Sequence, residues 1–97
     1  ILKIMIRNFK CEQTELIWQG FVSRKFPQSL QQIARRKLRM LHNAHVLSDL
    51  RVPPANRLEK LKGVRVGQYS IRINDQWRIC FVWDNGDALN VEIVDYH

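Results

Sequence analysis

The strongest constraint in this sequence is a period of two that runs through its last third. In residues 68–73, Tyr69, Ile71 and Ile73 alternate with Ser70 and Arg72. In residues 77–83, Trp77, Ile79, Phe81 and Trp83 alternate with Arg78, Cys80 and Val82, and in residues 88–94 Leu89, Val91 and Ile93 fall on one side. Successive side chains of a strand point to opposite faces, so each segment reads as a strand with an apolar face. The breaks between them, Asn74-Asp75-Gln76 and Asp84-Asn85-Gly86, have the length and residue types of tight turns. The expectation is a three-stranded antiparallel meander with one face that must be covered.

The cover comes from the first half of the chain. Over residues 12–25, Ile17, Trp18, Phe21 and Val22 recur at helical spacing, with Gly20 inside at a cost of about 1 kcal/mol. Pro27 and Ser29 open a second helix whose stripe is Leu30, Ile33, Ala34, Leu38 and Leu41. Lys37 interrupts that stripe and must run its ammonium out to solvent along its apolar stem. Residues 4–9 read as a further strand, being rich in β-favouring residues and free of Gly and Pro. Residues 48–67 carry Pro53-Pro54, Gly63 and Gly67 among basic side chains and read as an ordered connector with room for one short strand or turn. The expected fold is therefore α+β: an N-terminal strand, two helices on one face, then the meander. All 97 residues are expected to form one domain, with residues 1–4 as an extension upstream of a native start at Met5.

Composition narrows the function classes. An apolar share of 45% suits a packed core rather than a disordered tail. Sixteen Lys and Arg against nine Asp and Glu give a net charge of +7, which favours a polyanionic partner but is equally met by a soluble basic domain. Arg35, Arg36 and Arg39 on the second helix raise the same choice between a solvated face and an RNA contact. Cys11 and Cys80 stand alone, without CxxC spacing, and are expected to be reduced cytosolic thiols, which places the protein in the cytoplasm. The opening ILKIMIRNFK is too short and too interrupted by charge for a leader or a span, so no membrane association is expected. His42 and His45 lie three apart, but no Cys, Asp or Glu ligand stands at helical spacing beside them, and the helix C-terminus accounts for a histidine without a metal. No metal or other cofactor is expected.

The polar face of the meander carries Arg72 and Arg78 and lies beside the closing Asp95, Tyr96 and His97. Cutting RNA without a metal needs a base for the 2′-OH proton, an acid for the leaving 5′ oxygen, and cations for the charge on phosphorus. His97 exchanges protons near neutral pH and Arg78 can hold a phosphate with a planar fork. The chemistry alone leaves a second reading open, in which Asp95, Tyr96 and His97 are simply polar residues at a solvated strand end.

From Met5 onward the chain resembles the HigB-type toxins of the RelE superfamily, through PPANRLEKLKG at 53–63, GQYSIRINDQWRICF at 67–81 and VEIVDYH at 91–97. The resemblance implies a RelE-like fold and a metal-independent endoribonuclease that cuts mRNA in the ribosomal A site. It implies a HigA-like antitoxin as partner, with operator DNA met only through that antitoxin. The family's terminal Asp-Tyr-His falls on Asp95, Tyr96 and His97, its strand arginine on Arg78, and its loop lysine on Lys62. The implied roles are His97 as general acid or base, Asp95 as its partner or the base, Tyr96 as a positioning and stacking group, and Arg78 with Lys62 on the phosphates. Where these toxins carry a loop histidine, this chain has Glu59, which can act as a base if desolvated but cannot supply a cation. Arg57 and Arg72 have no counterpart role in the family; they are candidates for RNA binding, Arg72 because it shares the sheet face of Arg78, with a surface or structural ion-pair role as the other reading. Trp77 and Trp83 are assigned to the core. Two rivals stand beside this assignment: a ParE-like gyrase inhibitor on the same fold, and a non-catalytic basic binding module. The terminal Asp-Tyr-His argues against the first, and Glu59 keeps the second open.

Overall fold

The computed structural model describes residues 6–96. Its elements run α1 (Glu12–Trp18), α2 (Gln28–Asn43), β1 (Glu59–Lys60), β2 (Tyr69–Arg72), β3 (Trp77–Asp84) and β4 (Asp87–Asp95). The four strands form one antiparallel sheet in sequential order, β1-β2-β3-β4. The α+β class and the meander of β2, β3 and β4 agree with the sequence, and the two-residue β1 adds an edge strand from within the connector. Three short 3-10 turns, Leu47–Arg51, Pro54–Asn56 and Gly63–Arg65, make up much of the rest of that connector.

The N-terminal segment differs from the expected strand. Residues 4 and 5 of that expectation lie outside the described residues, and the remainder touches β4 through two parallel bridges, Ile6 to Ala88 and Phe9 to Val91. Backbone bonds from Arg7 N–H to Ala88 O (2.8 Å), Lys10 N–H to Val91 O (3.0 Å) and Val91 N–H to Asn8 O (3.2 Å) lay it along the β4 edge. Regular pairing stops between the bridges because Asn8 turns its side chain to Asn90, donating to Asn90 Oδ1 (2.8 Å) and accepting from Asn90 N–H (3.0 Å).

Asn90 also corrects the reading of the last strand. The register jumps between Cys80–Glu92 and Val82–Leu89, and Asn90 takes φ 53 at the jump. The extra residue is a β-bulge, which reverses the alternation on one side of itself. Ala88, Val91 and Ile93 are consequently buried, while Leu89 pairs with Val82 on the other face instead of joining Val91 and Ile93.

The first helix is shorter than its apolar spacing implies. It stops at Trp18 because Gly20 adopts φ 94, and Gly20 N–H bonds Ile17 O (3.1 Å) while Phe21 N–H bonds Leu16 O (2.9 Å). That pair of bonds is a Schellman motif, for which a left-handed glycine is the favoured residue. Phe21 and Val22 fall in the following connector and are exposed, not helical core. Arg35 does not belong to a purely solvated face either, because its Nε donates to Ile17 O (2.8 Å) and caps the C-terminal end of α1. Buried Gln31 holds the connector, accepting from Ser23 N–H (2.9 Å) and donating to Ser23 O (2.7 Å) and Phe26 O (2.9 Å).

The core forms where α1 and α2 lie on one face of the sheet. Ile17, Leu30, Leu38, Leu41, Ile71, Ile79, Phe81 and Val91 are almost fully buried there. Each such side chain contributes about 1.5–3 kcal/mol by leaving water. Ile33, expected in the stripe, is exposed, and Lys37 donates to Asn56 Oδ1 (2.6 Å). The hairpin between β3 and β4 turns on Asn85 (φ 50) and Gly86 (φ 86), the two positive φ values of a type I′ turn. Among the described residues no helix is long and apolar enough to cross a membrane.

Candidate active site

The second face of the sheet is built from the polar phase of the same strands. Cross-strand pairs Glu59–Ser70, Arg72–Arg78, Ser70–Cys80, Arg78–Val94 and Cys80–Glu92 define it. Arg78 lies at its centre with only 10% of its side chain exposed. A buried guanidinium requires acceptors. Arg78 has Ser70 Oγ on Nε at 2.7 Å, and Ser70 O and Arg57 O on Nη2. The Glu59 carboxylate adds an ion pair to Nη2 at 3.2 Å. The Tyr96 ring centroid is 5.8 Å from the Arg78 guanidinium carbon.

Arg57 supplies its carbonyl only by adopting a left-handed conformation, φ 44 and ψ 58. For a residue with a Cβ this costs about 1–2 kcal/mol. Buried Asn56 anchors that corner, donating to Leu50 O (3.2 Å) and Val52 O (3.4 Å) and accepting from Lys37. Burial, together with the charges of Arg72 and Arg36, holds the Lys37 ammonium below the usual lysine pKa.

Arg57, Arg72, Asn74, Asp75, Arg78 and Tyr96 line one cleft of about 310 Å³. Arg72 is paired there with Asp75 at 2.5 Å. A second cleft of about 260 Å³ lies between Arg65, Val94, Asp95 and Tyr96, so that Tyr96 borders both. A larger groove of about 370 Å³ is lined by Leu47, Ser48, Arg51, Leu58, Lys60 and Tyr69. Its lining includes no carboxylate or histidine for proton transfer and does not include Arg78.

The structure therefore gathers Arg57, Arg72, Arg78 and Tyr96 in one cleft, with Glu59 on Arg78. It does not bring Asp95 into the same cleft. Asp95 pairs with Trp77, on the helix-covered side of the strand phase, and its carboxylate accepts from Gln76 Nε2 at 3.1 Å. Lys62 is exposed and lines neither cleft. Glu59 is on β1 with about half its side chain in solvent, so the desolvation a buried base would need is missing. His97 lies outside the described residues. Ser70, Gln76 and Arg65 were not singled out from sequence. Ser70 carried a signal, a small hydroxyl in the polar phase next to Arg72, but its bond to Arg78 depends on strand register.

Among the described residues no group of three or more His, Cys, Asp or Glu side chains could hold a metal ion. His42 packs its ring on Trp18, with centroids 4.9 Å apart.

The amino-acid sequence matches a known family. The profile described as RelE-like toxin of type II toxin-antitoxin system HigB covers residues 7–97. The chain belongs to the HigB-like toxin family. Toxin HigB-1 of Vibrio cholerae serotype O1 is 48% identical over 67 residues, 69% of this chain and 70% of that protein. A protein named Endoribonuclease HigB from Proteus vulgaris is 31% identical over 93 residues, covering 96% of this chain and all of its own length. An uncharacterized protein of Haemophilus influenzae is 38% identical over 72 residues, 74% of this chain and 71% of that protein. Membership places this HigB-like chain in a type II toxin-antitoxin system, where a toxin is paired with an antitoxin. The family match includes the whole second face of the sheet, from Glu59 to Tyr96.

Proposed function

We propose that this chain is an endoribonuclease toxin that cuts mRNA in the A site of the ribosome and so halts translation, and that a HigA-like antitoxin neutralises it in the cytoplasm. Operator DNA is met only through the antitoxin. The observation that carries the reading is the buried Arg78, fixed by Ser70 and the Arg57 carbonyl and opening onto a cleft with two further arginines and Tyr96.

The cleft suits a phosphodiester. In the proposed step the 2′ oxygen attacks the adjacent phosphorus, a base takes its proton, and the P–O5′ bond breaks as an acid protonates the leaving oxygen. The products are a 2′,3′-cyclic phosphate and a 5′-OH, with no metal required. Arg78 meets the charge that develops on the non-bridging oxygens, and its fixed position means little reorganisation at the moment of reaction. Arg57 and Arg72 hold neighbouring phosphates, Lys62 adds charge from the rim, and Tyr96 positions the nucleotide. His97 is assigned as the acid, and Asp95, oriented by Gln76, as its partner or the base. Glu59 holds Arg78 in the free toxin and yields it to the phosphate.

The test is a reconstituted translation reaction with the wild-type chain and His97→Ala, with mRNA 5′ ends mapped by primer extension with and without ribosomes. Ribosome-dependent cuts that disappear in the variant support the proposal. A folded wild-type protein that makes no cuts overturns it and redirects attention to gyrase supercoiling.

A further inference from the structure

The two clefts that meet at Tyr96 differ in chemistry. The Arg78 cleft is lined by three arginines with Asn74 and Asp75. The other is smaller and is walled by one arginine, the Val94 side, Asp95 and Tyr96. Its arginine is not a free counter-charge. Arg65 Nη1 donates to Gln68 Oε1 (3.0 Å) and to Glu92 Oε2 (3.2 Å), and Glu92 also meets Lys10 Nζ at 3.7 Å. Glu92 is largely buried and Arg65 is about one-quarter exposed, so the guanidinium is held by two acceptors while the group as a whole, two cations on one carboxylate, keeps a single positive charge.

A guanidinium whose Nη1 is already bonded to Gln68 and Glu92 has fewer donors left for a phosphate, but its flat face remains. Arginine planes and tyrosine rings are the groups on which unpaired bases stack. Tyr96 lines both clefts, so a nucleotide next to a phosphate held on Arg78 has the second cleft within reach across that ring. Resting on the nuclease reading, we infer that the cleft between Arg65, Val94 and Tyr96 is a nucleobase slot for the nucleotide next to the scissile phosphate, with Arg65 as its stacking wall. The division of labour is then phosphate on one side of Tyr96 and base on the other.

Arg65 also ties the 61–68 loop across the sheet to β4, so a loss of activity in a variant would not by itself prove stacking. The test is a cycle between protein and substrate. Cleavage rates are measured for wild type, Arg65→Ala and Arg65→Lys on ribosomes programmed with an intact message, and with messages abasic at single positions of the A-site codon. Arg65→Lys keeps a cation for Glu92 but has no plane. The slot predicts that one abasic position slows wild type about tenfold, in line with the strength of base stacking. It also predicts that both variants cut the intact message about as slowly and lose little more on that abasic one. Full additivity, in which each variant loses the same factor on intact and abasic messages, overturns the slot and leaves the nuclease reading standing. No cleavage of the intact message by folded wild type overturns both.

Discussion

The two faces of the β2–β3–β4 sheet are made by the same strands and do opposite work. On one face Ile71, Ile79, Phe81, Val91 and Ile93 pack under the helices and supply burial energy. On the other, Ser70, Arg78, Cys80 and Glu92 occupy the alternate positions, and a buried arginine is kept in place by a strained Arg57 and an ion pair with Glu59. The helix-covered face tolerates hydrophobic replacement so long as volume is kept. The polar face accepts few substitutes, because each acceptor around Arg78 satisfies a donor that would otherwise be buried alone. Stability and chemistry are thus separated by one step along a strand.

Neighbouring substitutions on β3 should break along that line. Phe81→Ala, on the covered face, should cost about 3–5 kcal/mol of stability in denaturant unfolding, with cleavage per folded molecule little changed. Arg78→Ala, on the polar face, should lower cleavage about 10²–10³-fold, the loss seen when a fixed transition-state donor is removed. Arg78→Lys should recover little of it, since a lysine cannot reproduce the fork that spans Ser70 and Arg57. If Phe81→Ala and Arg78→Ala lose stability and activity in equal proportion, the two faces are not separable.

Ser70→Ala sharpens the comparison. It leaves Arg78 Nε without its 2.7 Å acceptor and should cost about 1–3 kcal/mol, together with a roughly tenfold fall in cleavage at unchanged protein fold by circular dichroism. Glu59→Gln should change cleavage only a few-fold, because Glu59 is half in solvent and, in the proposed step, gives Arg78 up to the phosphate. A loss of two orders of magnitude in that variant would make Glu59 the base.

The smallest effect is read from the two cysteines. Burial pushes the Cys80 thiol up, so it stays protonated under the β3–β4 pairing. Cys11 is also raised by burial, but hydrogen bonds from Thr14 and Gln13 and the charge of Lys25, 3.7 Å away, outweigh it and bring the thiol below its usual value. Thiolate is the reactive form, and its fraction grows as pH rises through the pKa. Iodoacetamide should therefore modify Cys11 first, at a pH below that needed for a free cysteine, and Cys80 only after unfolding. Equal rates for the two in the folded protein would show that the polar face opens readily.

Much of this architecture was legible in the residues. The period of two in 69–83, the turn residues Asn85-Gly86 and the stripe on α2 are local signals, each set by side-chain geometry within a few positions. The same holds for the arginine pair Arg72 and Arg78, whose shared polar phase places them side by side on the candidate site face. The misreadings have one cause, which is that a local pattern does not show where the chain leaves it. Phe21 and Val22 kept helical spacing after Gly20 had ended the helix, and Leu89 kept strand alternation across the bulge at Asn90.

By itself, then, the sequence determined the fold class, the meander, the covered face and the family strings that surround Glu59, Arg78 and Asp95. Tertiary structure alone decided that Arg78 is held by Ser70 and the Arg57 carbonyl, that Asp95 turns toward Gln76 instead of the arginine cleft, and that Arg65 is tied to Glu92 beside Tyr96. Those contacts join residues 8 to 27 positions apart. Strand register, a bulge and the path of one loop fix them, and none of these is expressed in the spacing of neighbouring side chains.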